Sequence, residues 1–127
     1  MIKILIIDDT RSVHMFVKKL LAQGHVTEVA SVYNGQEALD LLKQNSDFDL
    51  IFLDWNMPIM EGPETLQNIR KMGIQIPILM MTTLSSEDNI NQMLELGVSE
   101  YMIKPFTVDI LFQKIEFVLG KAIPYAS

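Results

Sequence analysis

Five side chains able to hold a cation or act on an anion each follow closely on a short apolar run. Asp8 and Asp9 come after Ile4–Ile7, Asp54 after Leu50–Leu53, Thr82 after Ile78–Met81 and Lys104 after Tyr101–Ile103. Taken singly, each has an ordinary explanation. An Asp pair can form a turn or cap a helix, a threonine can do the same, and a lysine can stand in water. Brought onto one rim, they become three carboxylates, a hydroxyl and an ammonium in a small cleft. At about 4 Å and an effective dielectric near 20, each pair of like charges there costs on the order of 4 kcal/mol. One lysine does not neutralise three acids, whereas a divalent cation does. The ligands are hard oxygens and too few for an all-protein calcium cage. That favours Mg²⁺, which keeps several waters and leaves positions open for an anion.

The elements that must bring these residues together are legible as five β-α pairs. The strand candidates are Ile4–Ile7, Val29–Tyr33, Leu50–Leu53, Ile78–Met81 and Tyr101–Ile103. The first, third and fourth are wholly apolar, as strands covered on both faces are. The second mixes polar and apolar residues, which suits an edge.

Helical periods lie between them. Val13, Phe16, Val17, Leu20 and Leu21 form one stripe, expected to end at Gly24. Asn34 can cap a helix carrying Ala38, Leu41 and Leu42. A third helix follows Gly62-Pro63, with Leu66 and Ile69 inward and Gly73 at its end. Ser85 or Ser86 starts a fourth that buries Ile90, Met93 and Leu94 and stops at Gly97. Thr107 caps a fifth, with Val108, Leu111, Phe112, Ile115 and Leu119 inward. Right-handed crossovers then give an α/β, doubly wound parallel sheet, whose ligands gather beyond the carboxyl ends of the strands.

Composition narrows the classes. With 49% hydrophobic residues the chain can bury a core, and without cysteine it has neither disulfides nor thiolate metal sites. No apolar run reaches the roughly 18 residues of a membrane span. A formal net charge of −6 argues against direct nucleic-acid binding. A cytoplasmic location without membrane contact is the expectation. Residues 1–121 read as one domain, and 122–127 as a short, loosely held tail.

The motifs IIDD, LDWNMPIMEG, MMTT and YMIKPF, in this order, resemble the receiver domains of bacterial two-component response regulators. Within them, DWNMP at Asp54–Pro58 followed by Met60-Glu61-Gly62 is similar to the single-domain chemotaxis regulators. The resemblance implies a flavodoxin-like (βα)5 sheet of strand order 2-1-3-4-5. It implies that Asp54 is the phospho-acceptor, and that Asp9, Asp54 and the Asn56 backbone carbonyl bind Mg²⁺, with Asp8 acting through water. Thr82 and Lys104 would contact phosphoryl oxygens, Tyr101 would be the switch aromatic, and Lys104-Pro105 would be cis.

The implied partners are a sensor histidine kinase or phosphotransfer protein, and a downstream protein such as a flagellar motor switch. The partner face would comprise the fourth helix, fifth strand and fifth helix, including Asn89, Gln92, Glu95, Glu100 and Gln113. With no output domain in the sequence, a monomer signalling by contact is expected, as a phospho-acceptor module and not a turnover enzyme. A phosphorelay intermediate and a phosphorylation-independent pseudo-receiver remain alternatives.

Other chemistries fit less well. An FMN carrier of this fold needs a phosphate cradle after the first strand, where DDTRS places two acids. Haloacid-dehalogenase-type phosphatases carry D-x-D, and Asn56 replaces the second acid that protonates the leaving group. Thr83 stands where many receivers have a smaller residue. Leu84 is apolar where the chemotaxis likeness often has a polar residue, so slow self-dephosphorylation is expected. His14, outside the apolar stripe, and His25, after Gly24, are expected to take no part. The methionines mostly fill the core, with Met60 and Met93 near the surface.

Overall fold

The structure, a computed structural model, describes residues 1–126. Five strands, β1 Lys3–Ile7, β2 Glu28–Val32, β3 Leu50–Asp54, β4 Ile78–Thr82 and β5 Glu100–Ile103, alternate with five helices. These are α1 Arg11–Ala22, α2 Gly35–Gln44, α3 Gly62–Lys71, α4 Glu87–Glu95 and α5 Val108–Leu119. All strand pairs are parallel and the order is β2-β1-β3-β4-β5, as the family resemblance implied. The polar-apolar β2 is an edge, and Tyr33 falls just beyond it.

Because side chains alternate across a strand, each strand feeds two cores. Leu5, Ile7, Ile51, Leu53, Ile78 and Met80 face α2, α3 and α4; Ile4, Ile6, Leu50, Phe52, Leu79 and Met81 face α1 and α5. Burying each such side chain contributes roughly 1.5–3 kcal/mol. No helix is long and apolar enough to cross a membrane among the described residues.

The caps fall where the residues suggested. Asn34, Ser86 and Thr107 accept hydrogen bonds from the amides of Glu37, Asn89 and Ile110. Gly73 and Gly97 take left-handed backbone after α3 and α4. Gly24 is different. The left-handed residue after α1 is His25, at φ 59°, while a Cβ on Gly24 would come within 2.6 Å of the Phe112 ring. Close packing, and not helix termination, is what requires glycine there.

Helical period located the buried arcs but misjudged their edges. Phe16 is 41% exposed and rests against Phe106, Leu94 is 54% exposed, and His14 is buried. Met60 and Met93 are buried too, not superficial. The tail is held. Ile123 is buried, its amide donates to Glu116 Oε2, Tyr125 stacks on Phe112 at 4.5 Å, and the Ala126 amide donates to the Gln23 carbonyl. Ser127 lies outside the described residues.

Candidate functional site

The order in which strands are added to the sheet reverses at the boundary between β1 and β3, which lie side by side with Ile7 opposite Leu53. The residues that leave these strands therefore meet at one crevice, Asp8 and Asp9 from one and Asp54 from the other. One oxygen of each of the three carboxylates lies within 4.8 Å of the others. That donor set, all hard oxygen, fits a small divalent cation. Asp8 and Asp54 are buried, whereas Asp9 is exposed.

Lys104 arrives from the end of β5 and bridges two of the acids. Its Nζ donates to Asp8 Oδ2 at 2.9 Å and to Asp54 Oδ1 at 3.0 Å. It follows a cis Lys104-Pro105 bond, as the resemblance implied. Burial draws the ammonium downward, but its hydrogen bonds to Asp8 and Asp54 outweigh this and hold its pKa above the ordinary value. Asp54 responds oppositely. Desolvation raises it, the Lys104 hydrogen bond opposes, and repulsion from Asp8 adds to the rise, leaving it at about 6. Burial wins because the lysine is shared between two acids.

Thr82 ends β4 and is buried; its Oγ1 accepts the Leu84 amide at 2.9 Å, so the hydroxyl proton remains available to donate. Thr83 beside it is exposed, and Leu84 is half-buried. The loop after Asp54 is tight. The Gly62 amide donates to the Trp55 carbonyl, and a Cβ on Gly62 would collide with the Asp54 carbonyl oxygen and stand 2.9 Å from Trp55 Cα. Trp55 and Met57 are buried and leave Asn56 exposed between them.

Tyr101 is half-buried on β5, opposite Met80, and Thr82 pairs with Ile103. It thus stands two residues back along the sheet, about 7 Å from the level of Thr82. Lys114 covers its ring at 5.0 Å and reaches Glu100 at 3.3 Å. On the proposed partner face, Gln92, Glu95 and Gln113 are exposed and Asn89 and Glu100 are half-buried.

Sequence reasoning missed His14, whose Nε2 lies 2.7 Å from the Asp8 carbonyl oxygen. The available signal was its spacing of three and seven residues from buried Val17 and Leu21. His25, by contrast, is exposed.

Known proteins share both sequence and fold. The chain is 37% identical over 120 residues to the chemotaxis protein CheY homolog of Campylobacter jejuni, covering 93% of this chain and 92% of that protein. It is 34% identical over 120 residues to the chemotaxis protein CheY1 of Helicobacter pylori, covering 93% and 97%. The structure of Vibrio cholerae chemotaxis protein CheY4 is similar with a TM-score of 0.84 and 32% identity, over 94% of this chain and 99% of that one. The response regulator receiver domain model matches residues 4–116. This chain belongs to the response regulator receiver domain family and is of the CheY type, a signalling module.

Proposed function

We propose that Asp54 accepts a phosphoryl group in a Mg²⁺-dependent reaction and that the chain signals by phosphorylation-dependent protein binding in chemotaxis. The observation that carries this is Asp54 itself, buried at the end of a central strand, with Lys104 on Oδ1 and two further carboxylates beside it. Its Oδ2 takes no hydrogen bond among the described residues, and no wholly buried side-chain oxygen lacks a partner, so Oδ2 is open to solvent.

Asp54 Oδ2 attacks the phosphorus of a phosphohistidine on a sensor kinase or phosphotransfer protein, or of acetyl phosphate. A P–O bond to the carboxylate forms as the P–N or P–O bond to the donor breaks, and the leaving group departs with the bonding pair. Asp9, Asp54 and the Asn56 carbonyl would hold Mg²⁺, which supplies positive charge against the phosphoryl oxygens, while Asp8 acts through water. Lys104 adds a second positive charge, and the Thr82 hydroxyl donates to a phosphoryl oxygen. A pKa near 6 leaves the Asp54 carboxylate mostly ionised and nucleophilic at neutral pH. Water later cleaves the acyl phosphate and restores the acid, so the module resets without turnover of a substrate pool. Drawing Thr82 toward the phosphoryl group vacates space that Tyr101 can enter, which changes the face presented by α4, β5 and α5 to a downstream protein. Such a cycle belongs in the cytoplasm, with the receiver acting as a monomer on residues 1–121.

Trp55, adjacent to Asp54, supplies the test. Its fluorescence should change saturably with Mg²⁺ and again with acetyl phosphate, and the second change should vanish in Asp54→Asn. No response to either addition would make the acidic rim structural and the chain a pseudo-receiver.

A further inference from the structure

We propose that His14 is a positioning residue for the cation site, acting through the Asp8-Asp9 peptide; this rests on the metal-binding reading above. His14 is 2% exposed, and both ring nitrogens are engaged. Because a carbonyl oxygen only accepts, Nε2 carries a proton and donates it to the Asp8 oxygen at 2.7 Å. Nδ1 pairs with the Ser31 hydroxyl on β2 at 3.0 Å. The ring lies against Tyr33, with centroids 4.5 Å apart, and the Arg11 guanidinium stands 5.7 Å from the Tyr33 centroid. The imidazole is thus fixed at both nitrogens and on its face.

What it fixes is the first acidic loop. Asp8 is gripped at every polar group. Its amide donates to Val32, its carbonyl accepts from His14, its Oδ1 accepts from the Thr10 amide, and its Oδ2 accepts from Lys104. Asp9 has no comparable hold. Its side chain is exposed and makes no hydrogen bond among the described residues. The direction in which Asp9 projects is therefore set by the plane of the peptide before it, a rigid unit whose oxygen His14 holds. Partners that orient a ligand in this way typically govern metal affinity by 10–100-fold, and action through a backbone carbonyl belongs at the lower end.

Mg²⁺ titrations followed by Trp55 fluorescence on the full chain, with urea unfolding of the same samples, test this. His14→Phe keeps an aromatic ring against Tyr33 but loses both hydrogen bonds, and it should weaken Mg²⁺ binding roughly tenfold. His14→Gln keeps an amide donor and should recover most of that loss. Ile115→Val, which opens the core beneath α5, should lower stability without moving Mg²⁺ affinity. Native-like affinity in His14→Phe overturns the role, as does equal loss in Phe and Gln variants. Should His14→Phe fail to fold, Ser31→Ala decides: it removes the Nδ1 hydrogen bond that fixes the ring, and unchanged affinity there overturns the positioning role. A native chain with no Mg²⁺ response defeats the metal-binding reading and this role with it, whereas a native response matched by His14→Phe defeats this role alone.

Discussion

The Lys104 ammonium lies 3.0 Å from Asp54 and 2.9 Å from Asp8, so one cation from β5 serves two buried acids at the ends of β3 and β1. Removing one member of such a group leaves uncompensated buried charge. Lys104→Met should destabilise the Mg²⁺-free chain by about 3 kcal/mol at pH 7.5 in urea unfolding. Adding Mg²⁺ should restore part of this, because it binds only the assembled site. A loss below about 1 kcal/mol would mean that the acids relax apart without the lysine.

Asp54 makes its own pH dependence. Its folded pKa of about 6 exceeds the ordinary 3.8, so between these values the folded chain holds more protons than the unfolded one. Stability from this group is therefore full below about pH 4 and lost as pH rises through 6, by about 3 kcal/mol at most. Asp54→Asn should stabilise the Mg²⁺-free chain by about 1–3 kcal/mol at pH 7.5, with the gain gone by pH 4. A gain that does not vary with pH would locate its origin elsewhere.

Ile59, between the buried Met57 and Met60, adopts left-handed backbone at φ 71° with its side chain 79% exposed. A β-branched residue is strained there, and nothing buried offsets the strain. Ile59→Asn should raise stability by about 1 kcal/mol, read as a higher urea midpoint with an unchanged slope.

Ile123 seats the tail against α5, close to Gly24. Ile123→Ala should destabilise by about 2 kcal/mol. Mg²⁺ affinity should stay at the native value, since no site residue touches the tail in the hydrogen bonds and ring stacks that hold it.

Tyr101 is expected to carry the output and not the chemistry. Tyr101→Ala should weaken phosphorylation-dependent partner binding, measured with the acetyl-phosphate-treated chain, while leaving the phosphorylation rate near native. Equal loss of both would refute that division.

The residues of the candidate site were legible because each closes an apolar run, and in a parallel sheet all such runs end on the same side. The wholly apolar runs Leu50–Leu53 and Ile78–Met81 announced strands covered on both faces, and Asn34, Ser86 and Thr107 announced helix starts through side chains that satisfy free amides. Such signals are local, carried within a few residues of where they act.

The tertiary structure decided the rest. That Lys104 bridges Asp8 and Asp54 depends on how a chain brings together residues 96 and 50 positions apart. His14 falls outside the apolar stripe yet is buried, because helical period gives the direction of a buried arc but not its width. What buried it was the Asp8 carbonyl, which needs a donor once it leaves water. Phe16 and Leu94 erred the other way, because an apolar side chain at an arc's edge is buried only if another element covers it. A chain end by itself suggests loose chain, but Ile123 packs beside Phe112 and Gly24. Short-range chemistry wrote the strands, caps and candidate ligands into the sequence; which polar groups lost water, and therefore had to find each other, emerged only when distant segments packed.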